Sequence, residues 1–93
     1  MTEAQLQDAI IACARALRWL VYHTHDSRHS AAGFPDLTLV RGRRLLFVEL
    51  KKATGDTTAA QRAWMQALRD ANVEVYLWRP VQWTNGEIEG VLR

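Results

Sequence analysis

The sequence predicts a small α/β protein in which helices flank a mixed β-sheet. Short runs rich in β-branched and aromatic residues alternate with two segments whose apolar residues recur at helical spacing. Along the chain the order is α-β-β-β-α-β, followed by a short helical tail. A helix separates the third strand from the fourth, so a right-handed crossover would make these two strands parallel.

Length and composition predict one globular domain over residues 1–93. The chain is 48% hydrophobic and 24% charged, which is typical of a folded protein. A chain of this size buries roughly 60–65% of its unfolded surface, so the expected core is modest. The net charge of +2 permits a nucleic-acid partner without requiring one.

Cysteine usage and hydropathy predict a cytoplasmic protein. Cys13 is the single cysteine, which excludes an intrachain disulfide and fits a reducing compartment. The opening "MTEAQLQDAI" lacks the basic and apolar regions of a signal peptide. No apolar run approaches the roughly 20 residues that span a bilayer, so we expect no membrane association.

The first third of the chain predicts a helix, a strand and a long loop. Thr2 is a suitable N-cap, with Gln5 in the capping-box position, and the helix is expected over residues 3–18. The run "WLVYHT" at 19–24 predicts a strand, and the polar run at 25–34 predicts a loop. The apolar face of the helix is expected to contain Leu6, Ile10, Cys13 and Leu17.

The middle of the chain predicts a β-hairpin. "PDLTLVR" and "RLLFVELKK" surround Gly42-Arg43, and glycine in the first central position suits a type II′ turn. After a loop, Thr57 or Thr58 can cap a helix over about 58–71, with Trp64, Leu68 and Ala71 on one face. Residues 73–79 alternate as a strand that ends at Pro80, and Asn85-Gly86 interrupts the helical tail.

The hairpin register predicts that Asp36 faces Glu49. A two-residue loop pairs Arg41 with Arg44, and counting back along both strands sets the two carboxylates opposite each other. A four-residue loop gives the same register, whereas an odd-length loop or a bulge would break it. Opposed residues have Cβ atoms about 4.5–5.5 Å apart. Lys51 follows on the same face as Glu49 because side chains alternate along a strand.

Two carboxylates at that spacing repel unless a cation binds between them or one is protonated. Mg²⁺ prefers a few carboxylate and carbonyl oxygens together with water, and the Leu50 carbonyl is a further donor. Lys51 would orient a metal-bound water, which is the chemistry of phosphodiester hydrolysis. The alternative is that Asp36 is only a turn residue after Pro35, and that Glu49 and Lys51 form a surface ion pair.

These segments resemble the PD-(D/E)xK nuclease motif and, more narrowly, the VRR-NUC family. The resemblance rests on "GFPDL", "VELK", a glutamate in the first helix, "AAQRAWMQAL", and "VEVYLWRP" with its "W…GEIEGVL" tail, and it covers nearly the whole chain. It implies a restriction-endonuclease-like core. The family includes small stand-alone proteins of phages and prophages, so a bacterial host cytoplasm is expected.

The resemblance implies a role for each of several residues. Asp36, Glu49 and the Leu50 carbonyl would hold Mg²⁺ or Mn²⁺, and Lys51 would be the catalytic lysine. Glu3 would be an accessory acid near the metal, and Gln61 would lie at the edge of the site. The implied activity is metal-dependent endonucleolytic cleavage of DNA, selective for branched forms such as four-way (Holliday) junctions, by a homodimer.

Basic residues outside the acidic pair suggest DNA contacts. Arg28 and His29 lie in the long loop near Asp36, and further basic side chains gather at the hairpin tip and after Lys51, namely Arg41, Arg43, Arg44 and Lys52. The alternative is that these charges are simply solvated. Zinc binding by His23 and His25 is disfavoured because no further ligands complete a tetrahedral set.

Two other functional classes stay open from sequence. A non-catalytic DNA-binding module would retain the fold and bind DNA without cutting it. A subunit of a larger replication or repair complex would bind a protein partner without its own affinity for DNA. The intact Asp, Glu and Lys set disfavours the DNA-binding module, because binding alone does not need acidic groups beside phosphates.

Overall fold

A computed structural model describes residues 1–25 and 30–93. Its elements follow the predicted order of helices and strands. They are α1 (Glu3–Ala16), β1 (Leu20–His23), β2 (Leu37–Arg41), β3 (Arg44–Leu50), α2 (Ala59–Asp70), β4 (Glu74–Trp78), α3 (Pro80–Thr84) and α4 (Glu87–Leu92). The first helix ends two residues before its predicted limit, and Arg18 adopts a left-handed φ of 71° where the chain turns into β1.

The four strands form one mixed sheet in the order β1-β2-β3-β4. The first two pairings are antiparallel, and β3 pairs with β4 in parallel, which confirms the predicted crossover. The start of β2 therefore lies beside the ends of β1, β3 and β4. We call this edge, marked by Asp36 and Glu49, the carboxylate end of the sheet.

The hairpin has the predicted register. Arg41 pairs with Arg44, and the pairing continues to Leu37 opposite Val48. Of the two central turn residues only Gly42 has positive φ, at 61°, which is the sign pattern of a type II′ turn. The next position along each strand brings Asp36 and Glu49 together.

One face of the sheet carries the main core. Leu6, Ile10 and Ala14 of α1 recur every four residues and are fully buried, together with apolar residues of β2 and β3. Cys13 and Leu17, predicted for this face, pack at its margin and are only partly buried. Ile88 and Leu92 of α4 complete this core.

The opposite face is only partly covered. Helix α2 packs against β4, and Met65 is its buried residue. Trp64 and Leu68, predicted to share one face of α2, are half-buried, and Ala71 is the exposed C-cap. The rest of this face, over β1 and β2, leaves large side chains exposed.

Local signals place the start of each long helix. Thr2 and Thr58 are the N-caps of α1 and α2, and each helix has a complete capping box, closed by Gln5 and Gln61 respectively. These helices have 14 and 12 residues. Within residues 1–25 and 30–93, no helix is long and apolar enough to cross a membrane.

Candidate active site

The carboxylate end of the sheet contains a buried acidic pair. Glu49 is only 2% exposed, and it is an ionisable side chain among buried apolar residues. Its carboxyl group lies within hydrogen-bonding reach of the carboxyl group of Asp36. The backbone N–H of Leu50 donates to Oδ2 of Asp36 over 2.8 Å. The pair is thus held by the fold and is not a loose surface contact.

Asp36 is also fixed from the β1 side, by a residue that the sequence analysis missed. The Thr24 N–H donates to the Asp36 carbonyl at 2.9 Å, and its hydroxyl donates to the Pro35 carbonyl at 2.9 Å. Through these two bonds the contact between the β1 and β2 segments continues beyond the last paired residues, His23 and Leu37. The only signal in the sequence was a threonine at the end of a β-branched run.

Burial controls the charge of the pair. In the protein without metal, the pKa of Glu49 is raised to about 9: desolvation is the largest cause, the hydrogen bond and the charge of Asp36 add to it, and Lys51 opposes the shift. Glu49 therefore holds a proton at neutral pH. A cation that binds Asp36 and Glu49 would displace this proton, and the charge of the cation would then offset the two negative carboxylates.

Lys51 lies one residue past β3 and is half-buried. Its backbone N–H donates to the Trp78 carbonyl at 3.1 Å, which continues the β3–β4 ladder. Arg79 anchors the following loop through 2.8 and 2.7 Å bonds to the carbonyls of Lys52 and Gly55. Arg79 was not predicted, and its position directly before Pro80 gave no signal of this contact.

Glu3 lies near the pair, whereas Gln61 already has a structural contact. Glu3 begins α1, and its negative charge adds to the rise in the Glu49 pKa. Gln61 Oε1 accepts a 2.8 Å bond from the Thr58 N–H, so it closes the capping box of α2. This bond gives Gln61 the role of an ordinary first-turn residue of α2. A place at the edge of the site, which the family resemblance implies, stays a prediction.

A glycine connects the acidic pair to α2. Gly33 has φ of 83°, and a Cβ there would overlap the Ala60 carbonyl carbon and lie 2.6 Å from the Gln61 nitrogen. Residue 33 must therefore be glycine for the chain to pass this close to the first turn of α2. The contact sets the path of the short segment that leads into Asp36.

The donor set fits a hard divalent cation. Asp36 and Glu49 supply carboxylate oxygens, and the carbonyl of Leu50 lies beside them in the chain. Among the described residues, no three His, Cys, Asp or Glu side chains form a metal-binding group. A cation held here would thus keep several coordination positions for water and phosphate, as Mg²⁺ commonly does.

Two arginines of the hairpin tip make several contacts within the protein. Arg41 donates to the carbonyls of Leu17, Leu92 and Arg93 at 2.8–3.0 Å, and its guanidinium lies 4.5 Å from the centroid of the Trp19 ring. Arg44 binds Glu74 through two nitrogens, at 3.1 and 2.8 Å, and a third donates to the Val91 carbonyl.

These contacts use both guanidinium groups to hold the C-terminal segment against the sheet. Arg41 and Arg44 therefore have a structural role, and their contact with DNA stays a prediction. Arg43 is exposed and stays a candidate for DNA contact, as does Lys52. Glu49 is five positions after Arg44 along β3, which corresponds to about 17 Å along the strand. The hairpin tip therefore lies far from the acidic pair. Arg28 and His29 lie outside the described residues.

The fold is that of a small α/β protein with an acidic site at one end of its sheet, and comparison with known proteins gives the family. Residues 1–82 match the profile of the VRR-NUC domain. The chain belongs to the VRR-NUC domain family, a nuclease-type family, and this implies DNA as the substrate. The family resemblance and the predicted fold class are both confirmed.

Two solved structures support this assignment. One, described as a VRR_NUC domain, has 25% identity and a TM-score of 0.69, with 81% of each chain covered. Another, described as a VRR_NUC domain protein, shares the fold at 21% identity and a TM-score of 0.66, over 85% of this chain and 78% of the other. No curated protein is significantly similar to the sequence.

Proposed function

We propose that this protein is a Mg²⁺- or Mn²⁺-dependent endodeoxyribonuclease that hydrolyses phosphodiester bonds at the carboxylate end of the sheet. One observation carries the proposal: a buried, hydrogen-bonded pair, Asp36 and Glu49, followed by Lys51, in a chain of a nuclease-type family. A buried pair of acids costs stability at neutral pH, because without a bound cation one acid must keep a proton that it would release in water. Such a pair is therefore better explained by metal binding than by stability.

The roles of the residues follow from their chemistry. A bound cation would supply charge stabilisation at the scissile phosphate and lower the pKa of a water ligand. Asp36 and Glu49 would hold it, with Glu49 releasing its proton, and the Leu50 carbonyl would add a neutral oxygen. Lys51 would donate a hydrogen bond that orients the attacking water. The water oxygen would bond to phosphorus as the bond from phosphorus to the leaving oxygen breaks. The water would give up a proton to solvent, and the leaving oxygen would take up a proton from solvent.

We further propose branched DNA, such as four-way junctions, as the preferred substrate, and a homodimer as the active form. A unit of 93 residues offers few DNA contacts by itself. Symmetric cleavage across a junction needs two active sites, and two-fold dimers are the commonest oligomers. A cytoplasmic location in a bacterial host, with a phage or prophage source, agrees with the single cysteine and the family resemblance.

A cleavage panel tests the activity. Single-stranded, duplex, flap and four-way junction DNA are each incubated with Mg²⁺, Mn²⁺ or EDTA. We expect cleavage that needs metal and is fastest on the junction, and a sedimentation mass of two chains. Glu49→Gln and Lys51→Ala should lose at least about 100-fold in rate. Glu87→Gln, which changes an exposed glutamate far from the pair in sequence, should cut as the wild type does.

Two results would replace the proposal with another function. Salt-dependent DNA binding with no cleavage in either metal would indicate a non-catalytic binding module. Neither binding nor cleavage, together with capture of a stable protein partner, would indicate a subunit of a larger replication or repair complex. Wild-type cleavage by Glu49→Gln or Lys51→Ala would show that the chemistry occurs elsewhere.

A further inference from the structure

The face of the sheet that bears the acidic pair continues into an aromatic row. Cα pairing aligns Tyr22 with Thr38 and Thr38 with Phe47 across β1, β2 and β3. Thr38 is two residues after Asp36, and Phe47 is two residues before Glu49, so both rows face the same side. The rows are about 6.8 Å apart along the strands.

The two aromatic residues of this row have different surroundings. Phe47 is half-buried and packs edge-on against Phe34, with ring centroids 5.8 Å apart, and Phe34 packs in the same way on Trp64 at 5.0 Å. Phe47 is thus held by the contacts that lead to α2. Tyr22, at the edge strand, is 60% exposed. Tyr22 and Phe47 lie on either side of Thr38, about 10 Å apart across the strands, and the exposed Tyr22 ring is a surface on which a flat ligand can stack.

We propose that Tyr22, with Thr38 and Phe47, forms a binding site for an unpaired nucleobase of the DNA strand that is cut. This inference rests on the proposed nuclease function and specifies its substrate. Bases stack on exposed aromatic rings whatever their identity, because every base has a π-face. A nucleotide whose phosphate is bound at Asp36 and Glu49 has its base, or that of its neighbour, within reach of the adjacent row.

This placement also explains a preference for branched DNA. In a continuous duplex the bases are paired and stacked inside the helix, so none can lie on Tyr22. At a junction, a flap or a frayed end, bases next to the branch point can leave the stack at lower cost. The aromatic row would therefore select DNA in which the nucleotide beside the cut is unpaired.

A second copy of this chain is the competing occupant of the same surface. The row beyond Tyr22 is aliphatic and exposed, with Leu20 at 74%, Val40 at 37% and Leu45 at 38%. A partner chain covering Tyr22, however, would lie only one row from Asp36 and would obstruct the approach of a phosphate to the acidic pair. The position of Tyr22 therefore favours the substrate as its occupant.

Binding measurements separate these occupants. All proteins carry Lys51→Ala, which stops cleavage under the proposed mechanism, and are titrated in Mg²⁺ against a duplex and against a flap with 2-aminopurine next to the branch point. We compare Tyr22, Tyr22→Phe, Tyr22→Leu and, as a control from the next row, Leu20→Ala. Tyr22 is mostly exposed, so its variants are expected to fold.

We expect Tyr22→Leu to weaken flap binding by about five-fold or more and to leave duplex binding unchanged. Tyr22→Phe should retain the affinity, because stacking needs the ring and not the hydroxyl. The 2-aminopurine fluorescence should be quenched by the Tyr22 and Tyr22→Phe proteins and not by Tyr22→Leu. Leu20→Ala should behave as the parent protein.

Equal flap binding and equal quenching by the Tyr22 and Tyr22→Leu proteins would overturn this inference while leaving the nuclease proposal intact. A fall in sedimentation mass from two chains to one in both Tyr22→Leu and Leu20→Ala would also overturn it, and would assign the surface to a second copy. Failure of the wild-type protein to bind or cut any DNA would instead overturn the nuclease function itself.

Discussion

The backbone amide of Leu50 donates a 2.8 Å hydrogen bond to the Oδ2 atom of Asp36. This bond joins the end of β3 to the residue that precedes β2, so the Asp36 carboxylate is oriented by the sheet itself. The same bond also satisfies the backbone N–H of Leu50, which lies at the end of the β2–β3 pairing. Asp36 thus has a structural role in addition to the metal-binding role that we propose.

The two roles of Asp36 can be separated by paired substitutions. In Asp36→Asn the amide oxygen can still accept from Leu50, so the thermal midpoint without metal should stay within a few degrees of wild type. Asp36→Ala removes the acceptor and should cost about 1–3 kcal/mol. Thermal unfolding with and without Mg²⁺ measures both effects.

Neither Asp36 variant should be stabilised by Mg²⁺, whereas wild type should be. Asp8→Asn, on the exposed surface of α1, is the matched control and should keep the response to Mg²⁺. If Asp36→Asn were stabilised by Mg²⁺ as much as wild type, Asp36 would not be a ligand.

The raised pKa of Glu49 predicts an unusual pH dependence of stability. Without metal the folded protein keeps a proton on Glu49 up to about pH 9, whereas the unfolded chain releases it near pH 4.5. The unfolded state therefore binds fewer protons between these values, and the contribution of Glu49 to the free energy of unfolding falls as pH rises. The expected loss between pH 5 and pH 8 is on the order of 4 kcal/mol.

Glu49→Gln should remove this slope, because glutamine does not ionise. The variant should unfold at a higher temperature than wild type at pH 8 in EDTA and should not be stabilised further by Mg²⁺. Chemical denaturation from pH 5 to pH 8 in EDTA measures the slope, with Glu87→Gln as an exposed control. A slope in Glu49→Gln equal to that of wild type would show that other groups cause it.

Gly33 is expected to be intolerant of any side chain. Gly33→Ala meets both a left-handed φ of 83° and overlap with the backbone of α2. Gly86 has nearly the same φ, 84°, but a Cβ there has open space around it, so Gly86→Ala is a matched control for the backbone cost.

We expect Gly33→Ala to be less stable than Gly86→Ala by about 1 kcal/mol or more, measured by urea denaturation. Its response to Mg²⁺ should also weaken, because the segment leading into Asp36 must move. Equal stability of the two variants would show that the chain near Gly33 adjusts without cost.

The arginines of the hairpin tip should divide into a structural and a functional class. Arg41→Met leaves three backbone carbonyls without their guanidinium donor and should cost about 1–3 kcal/mol. Arg43→Met changes an exposed residue and should alter stability by less than about 0.5 kcal/mol.

The effects of these two substitutions on DNA binding should be the reverse of their effects on stability. If Arg43 contacts a phosphate, Arg43→Met should reduce the slope of log affinity against log salt by about 1, and Arg41→Met should leave that slope unchanged. Fluorescence anisotropy over a range of salt concentrations measures it. A normal slope for Arg43→Met would indicate that the tip does not contact DNA.

The sequence by itself determined the elements that depend on neighbours in the chain. The capping boxes at Thr2 and Thr58 and the Gly42 turn are local, because each is fixed within a few residues. The turn and the two-residue period of a strand then set the register that carries Asp36 to the position opposite Glu49. The composition of the segments and their order gave the mixed sheet and the parallel β3–β4 pair.

Only the tertiary structure decided how the charges are used. The partners of Arg41 lie 24 to 52 residues away, so nothing near Arg41 distinguished it from the exposed Arg43. The packing of Gly33 on α2 and the burial that raises the pKa of Glu49 likewise arise from segments brought together by folding. Register is a local property, whereas desolvation and hydrogen-bond partners depend on how the whole chain packs. In this protein the packing distinguishes the acidic pair at one end of the sheet from the arginines that hold the C-terminal segment.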